Sequence, residues 1–318
     1  MTKPTILLWL DEAETYRSAA AAAGLESRCE LVAVPRSATP DAQLLERAEA
    51  ILAWGAAPGL LDRMPRLRWV QALTAGVEMW LGRPDVTDRF ALCCARGTHR
   101  VAMPENILGA LFHITKPYTQ AVLAQREHKW ARKVGQPLAG KTLGILGLGA
   151  IGAELAKKAA ALELRVIGTK RVVEDVPHVE KVLPPNRTAE VLAESDFLVV
   201  LLPVTPETED SIDAGFLAQM KPGAWLLNFG RGALVVDADL IAAVQQKRIA
   251  GAVLDVFRQE PLPAEHPFWS TEGILVLPHI GGGHPTRDAI VAELFVENLG
   301  HFLDARPLVA QVDLVAGY

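Results

Sequence analysis

The stretch TLGILGLGAIGAELAKKAAALELRVIGT (142–169) constrains the fold more tightly than any other part of this chain. An apolar run leads into Gly147, Gly149 and Gly152, spaced as G-x-G-x-x-G. An alanine-rich helical pattern and a second apolar run follow. In such a unit the first glycine permits a tight turn, the second lets the backbone approach a pyrophosphate, and the third allows helix and strand to pack closely. The helix then points its free N–H groups at the anion. The hexapeptide alone is a weak signal, and its strand–turn–helix–strand setting makes it specific. We read it as the opening βαβ unit of a dinucleotide site, with Gly147, Leu148, Gly149, Ala150, Ile151 and Gly152 lining the phosphates.

The second run ends in Thr169-Lys170-Arg171, where a βαβ site usually carries an acidic residue that accepts hydrogen bonds from a ribose diol. A carboxylate there repels a 2′-phosphate, and Lys170 and Arg171 reverse the sign. With the Thr169 hydroxyl they form an expected clamp for the 2′-phosphate of NADP, with NAD use not excluded. A hydrogen bond to a charged group contributes about 1.5–3 kcal/mol, which corresponds to a cofactor preference of about 10- to 150-fold. The competing reading is solvated surface cations at a strand end.

Apolar runs separated by helical patterns continue on both sides of this unit. Before it lie PTILLWL (4–10), CELVAV (29–34), EAILAWG (49–55), RLRWVQAL (66–73) and FALCCARG (90–97), then a long helical pattern from Met103 to Trp130 with Pro104 near its start. After it lie DFLVVLLP (196–203), AWLLNFG (224–230), GAVLDVF (251–257) and GILVLPH (273–279), then a helical pattern over about 285–305. The runs lack clean alternation, as expected of strands buried on both faces. A chain of 318 residues exceeds one comfortable core. The reading is two Rossmann-like or flavodoxin-like parallel-sheet α/β domains with a cleft between them: 101–285 for the dinucleotide, and 1–100 plus 286–318 for the substrate. A net charge of −5 argues against wholesale nucleic-acid binding. No apolar run is long enough for a bilayer span, and the N-terminus lacks the pattern of a signal peptide. Three cysteines, Cys29, Cys93 and Cys94, make no disulfide framework and no CxxC zinc site, so a cytoplasmic location and no metal are expected.

Three later runs end in residues suited to chemistry. Arg231 sits between glycines in NFGRG, Asp255 and Glu260 lie in LDVFRQEPLP, and His279 lies in LPHIGGG. Ligands of open α/β sheets gather at the carboxyl ends of the strands, so all four are expected beside the glycine turn. The set fits hydride transfer to a 2-oxo acid. Histidine suits proton donation to the carbonyl, a neighbouring carboxylate favours the imidazolium, and arginine grips a carboxylate bidentately. His279 is read as acid/base, Glu260 as its partner and Arg231 as the substrate anchor. Asp255 is read as an acceptor for the nicotinamide amide or its ribose, with a helix cap as the alternative. His113, His128 and His301 receive no role, and His99 and His284 stay unassigned.

These motifs resemble the D-isomer-specific 2-hydroxyacid dehydrogenases. The matching segments are LTAGVE, LAGKTLGILGLGAIG, LLPVTPETEDSID, MKPGAWLLNFGRGALVVDADLIAAV, IAGAVLDVFRQEPLP and LPHIGG, in the family's order from about residue 66 to about 305. The tail QVDLVAGY and AWGAAP (53–58) are similar to the glyoxylate/hydroxypyruvate reductase A group. The resemblance implies that Arg231, Glu260 and His279 are catalytic and that the backbone of Ala75, Gly76 and Val77 helps to hold the substrate carboxylate. It also implies a C-terminal helix returning to the substrate domain, and a homodimer. The expected cofactor set adds Leu202, Pro203, Thr208, Phe229, Gly230 and Gly281 to the residues above. Trp54 and Trp130 are candidates for the substrate pocket. Lys170 departs from the aspartate of NAD-preferring members, and MPEN (103–106) departs from a longer apolar helix start. The expected activity is NADPH-preferring reduction of glyoxylate or hydroxypyruvate to a D-2-hydroxy acid. The alternatives are a bulkier 2-oxo acid such as phenylpyruvate, a small anion such as formate or phosphite, and a dinucleotide-sensing binding protein. The complete catalytic set and the lack of an extra tail weigh against the last.

Overall fold

The computed structural model describes residues 3–317; Tyr318, the end of the QVDLVAGY tail, lies outside them. The chain divides into two compact units, one made of residues up to Thr98 together with those from His284 onward, the other of His99–Gly283.

The first unit contains β1 (Thr5–Trp9), α1 (Ala13–Ala22), β2 (Glu30–Val34), α2 (Ala42–Arg47), β3 (Ala48–Ala53), β4 (Trp69–Ala72) and β5 (Ala91–Cys93). The five strands are parallel in the order β2-β1-β3-β4-β5, a flavodoxin-like winding. Successive residues of one strand enter different cores: Ile6 and Leu8 join one apolar cluster, Leu7 the other. Both faces are therefore covered, which removes the alternation a half-exposed strand would show.

The second unit begins with α3 (Ala102–Thr115) and α4 (Tyr118–Arg126). The sequence predicts one long helix here, and the structure breaks it. Lys116 is extended (φ −114°, ψ 145°) because the ring of Pro117 disfavours the helical conformation of the residue before it. Pro104 is the third residue of α3, where an N–H has no intrahelical acceptor. Then come β6 (Thr142–Leu146), α5 (Ala150–Ala161), β7 (Arg165–Thr169), β8 (Lys181–Leu183), α6 (Thr188–Glu194), β9 (Phe197–Val200), α7 (Ala214–Gln219), β10 (Trp225–Asn228), α8 (Asp237–Gln245), β11 (Gly251–Leu254) and β12 (Ile274–Val276). Only the three-residue β8 was not anticipated; its edge position leaves it too short and too exposed for a pattern. The seven strands are parallel in the order β12-β11-β10-β9-β6-β7-β8, with the winding reversing between β6 and β9. Every strand thus delivers its carboxyl end to the same edge of the sheet.

The last helix, α9 (Arg287–Leu303), belongs to the first unit and packs on α1. Phe295 stacks on Trp69 with ring centroids 5.7 Å apart and meets Tyr16 edge-on at 5.8 Å. Buried Asn298 completes the fit, donating to Gln71 Oε1 at 2.9 Å and accepting from Val309 N at 2.7 Å. Cys29, Cys93 and Cys94 are buried free thiols; burial raises all three, Cys93 to about 12, which keeps them protonated.

Candidate active site

At the end of β6 the chain turns through Gly147, whose φ of +102° few side chains tolerate. The turn is fixed by the carbonyl of Thr169, which accepts from Gly147 N and Leu148 N. Gly149 then caps α5, and a Cβ built there meets nothing within 4 Å. At Gly152 the same atom would lie 2.5 Å from the Gly147 carbonyl oxygen. The turn is thus closed on its protein side and open at Gly149, beside the N–H end of a twelve-residue helix. That arrangement fits a pyrophosphate.

Thr169 is only 3% exposed, so the structure separates it from the expected surface clamp. Its strand position turns the residue into the core, and its carbonyl serves the glycine turn instead. Lys170 follows at the surface and is paired with Glu174 at 2.5 Å, a partner that sequence reading did not weigh. Arg171 is exposed. Past β9, Leu202 and Pro203 lead into a turn in which Thr208 Oγ1 donates to Pro203 O at 2.7 Å and accepts from Thr205 N at 2.8 Å.

Beyond the ends of β10, β11 and β12 lie Arg231, Glu260 and His279, of which the last two meet directly. After β10, Asn228 Oδ1 accepts from Gly230 N and its Nδ2 donates to Arg231 O, setting the turn that carries Arg231. Buried Phe229 precedes this turn. The turn touches the next one: a Cβ at Gly232 would overlap the Phe257 backbone at 1.9 Å. Glu260 Oε1 accepts from Phe257 N at 2.9 Å, and Oε2 meets His279 Nδ1 at 2.6 Å. Nδ1 is therefore the protonated nitrogen facing the carboxylate, and Nε2 is left to exchange a proton elsewhere. The Glu260 carboxylate and the imidazole are partly open to solvent, with side-chain exposures of 34% and 53%.

Asp255 takes a different place from the one expected. It is fully buried, and its carboxylate accepts from Ile280 N at 2.8 Å and Gly281 N at 2.9 Å. Burial raises its pKa above the ordinary aspartate range, against the lowering effect of those two N–H groups. Its carboxylate anchors the loop after His279 rather than standing open to a ligand. A Cβ at Gly281 would lie 2.5 Å from Asp255 Oδ2, so glycine is what lets the two approach. Asn106, on α3, grips the same loop by its carbonyls.

In the first unit, the turn after β4 carries Ala75, Gly76 and Val77, with Thr74 Oγ1 donating to Gly76 O at 2.5 Å. The ring of Trp54 lies under the Arg287 guanidinium at 4.3 Å, with Arg36 at 5.7 Å. Arg287 also donates to Leu73 O, just before that turn. Sequence reading missed Arg287 because HPTRDA carries no spacing that marks it. Trp130, in the second unit, is 96% exposed.

Comparison with known proteins adds independent findings. Residues 108–281, more than half of the chain, match the model for the NAD-binding domain of D-isomer-specific 2-hydroxyacid dehydrogenases. A glyoxylate/hydroxypyruvate reductase A of Citrobacter koseri is 30% identical, covering 86% of this chain and 88% of its own length. Among solved structures, a D-isomer-specific 2-hydroxyacid dehydrogenase of Xanthobacter autotrophicus Py2 in complex with NADPH and MES superposes with a TM-score of 0.88 at 29% identity, covering all of both chains. An NADPH-dependent glyoxylate/hydroxypyruvate reductase of Sinorhizobium meliloti, in complex with NADP and sulfate, gives 0.83 at 28% identity, again over all of both chains.

Proposed function

Because this chain belongs to the D-isomer-specific 2-hydroxyacid dehydrogenase family, we propose that it reduces glyoxylate or hydroxypyruvate to the D-2-hydroxy acid, preferring NADPH over NADH. At the coarser level it is a nicotinamide-dependent reductase of 2-oxo acids. The observation that carries the residue assignment is the 2.6 Å pairing of His279 Nδ1 with Glu260 Oε2 at the strand ends that also present Arg231.

The nicotinamide supplies the hydride when bound. The residues of the chain do the rest. Arg231 holds the substrate carboxylate through its planar fork, aided by the backbone N–H groups of the Ala75–Val77 turn. His279 delivers a proton from Nε2 to the carbonyl oxygen as the carbonyl carbon gains hydride, so the hydride forms the new C–H bond and the proton completes the hydroxyl. Glu260 keeps the imidazole oriented and compensates its charge. Trp54, held by Arg287, is the proposed apolar wall for the substrate. The relatives with NADPH or NADP bound support the cofactor preference, as do Lys170 and Arg171. The exposed apolar side chains of Tyr118, Val122, Leu123, Trp130 and Val134 support self-association as a homodimer. No helix among the described residues is long and apolar enough to cross a membrane.

Steady-state oxidation of NADPH and NADH with glyoxylate, hydroxypyruvate and phenylpyruvate tests the reading. It expects the highest kcat/KM with NADPH and one of the two small acids. Faster turnover of phenylpyruvate would move the substrate to the bulkier class. NADPH binding without turnover of any acid would leave a dinucleotide-binding protein.

A further inference from the structure

We propose that Asn106 is a positioning residue for the His279 acid. Its amide fixes the carbonyl side of the loop whose N–H side is fixed by Asp255, and the two together set where the imidazole points. This rests on His279 being the proton donor.

His279 is where the chain reverses after β12. Its φ is +52°, a left-handed conformation that the surroundings must enforce on a residue other than glycine. The three peptide groups that follow are each held: 279–280 by Asp255, 280–281 at both ends by Asp255 and Asn106, and 281–282 by Asn106. Asp255, just past β11 and fully buried, accepts from Ile280 N and Gly281 N. From the opposite side Asn106 Nδ2 donates to Ile280 O at 3.1 Å and to Gly281 O at 3.0 Å. Both partners are carbonyls, so only one orientation of the amide satisfies them, and its two hydrogens match two acceptors. Asn106 stands on α3, and its neighbours Ile107 and Leu111 are completely buried. The amide is therefore carried by an element that does not move with the loop. None of the three peptide planes can rotate without breaking a bond, and the first of them joins His279 to Ile280.

Ile280 is exposed and Gly281 buried, so water can take over at least the Ile280 carbonyl when Asn106 is removed. The fold then survives while the imidazole loses its orientation. A misplacement of that kind reaches turnover before binding.

The test uses Asn106→Asp, which has nearly the same shape and no donor, and Asn106→Gln, which keeps the donors on a longer stem. Asn106→Ala, with room for water, stands in where the aspartate variant melts well below the parent. His279→Ala is measured in parallel. With NADPH and glyoxylate, the donor-less variants should lose about 10- to 100-fold in kcat. The KM for glyoxylate and the Kd for NADPH, by fluorescence titration, should stay within about 3-fold. Asn106→Gln should recover most of the lost turnover, with melting temperatures close to the parent in all three. If His279→Ala is inactive but the donor-less variants keep kcat within about 2-fold of the parent, the inference is overturned. Equal losses with and without the donors, or a parallel loss of NADPH binding, also overturn it. If His279→Ala turns over normally, the acid assignment itself fails, and the role of Asn106 with it.

Discussion

The second unit holds the side chains proposed for function in two contrasting ways. At the ends of β10 and β12, Arg231 and His279 stand on turns fixed by buried or helix-borne side chains, while after β11 Glu260 is held by its own bond from Phe257 N, with glycines where a Cβ would collide. At the end of β7, Lys170 and Arg171 stand on an exposed segment, and Lys170 is held by one side-chain pair with Glu174. Proton transfer needs an atom placed within a few tenths of an ångström, which only backbone and buried polar groups supply. Recognition of a phosphate needs mainly the correct sign of charge, which a flexible cation meets as well as a fixed one. The contrast predicts large effects on turnover at the first region and smaller effects on cofactor choice at the second.

The largest effect is expected for His279→Ala, with kcat lower by about 10²–10⁴-fold and NADPH binding preserved. Stopped-flow reduction of glyoxylate combined with fluorescence titration separates the two. A variant that bound NADPH poorly would place His279 in cofactor binding instead. Glu260→Gln comes next. The glutamine oxygen can still accept from Phe257 N, so the loop stays in place while the carboxylate facing His279 is lost. A loss of about 100-fold in kcat is expected, with the melting temperature near that of the parent. A collapse in stability would mean that Glu260 serves the loop rather than the imidazole. At the other region, Lys170→Ala should lower the NADPH-to-NADH ratio of kcat/KM by about 10-fold, the value of one charge-assisted hydrogen bond at its weak end. No change would leave the preference to Arg171 or to the backbone.

The glycine turn, the parallel sheets and the placement of Arg231, Glu260 and His279 after their strands were legible in the sequence, because each depends on local spacing at the end of an apolar run. What escaped depends on distant partners. Asp255 and Asn106 meet Ile280 and Gly281 from 25 or more residues away, and neither spacing nor composition encodes that meeting. Thr169 was assigned by its nearness to Lys170, but β7 is buried on both faces from Val166 to Thr169, and Lys170 is the first residue to leave the core. The break at Pro117 was readable and was passed over, since the helical pattern continues on both sides of it.

Glu174 offers the smallest and most discriminating test. Its carboxylate occupies the ammonium of Lys170, so a 2′-phosphate must displace it and approach a second negative charge. Its side chain is 61% exposed, and a pair of that kind contributes about 0–1 kcal/mol. Glu174→Gln should therefore tighten NADPH binding by at most about 5-fold and leave NADH nearly unchanged. The gain should shrink as salt rises, because screening weakens the attraction of Lys170 for phosphate as well as its pairing with Glu174. Titration of both cofactors with parent and variant at two ionic strengths measures this directly. A weaker affinity for NADPH in the variant would reverse the reading. Glu174 would then serve to hold Lys170 in place, and the second region would owe its selectivity to position, as the first does.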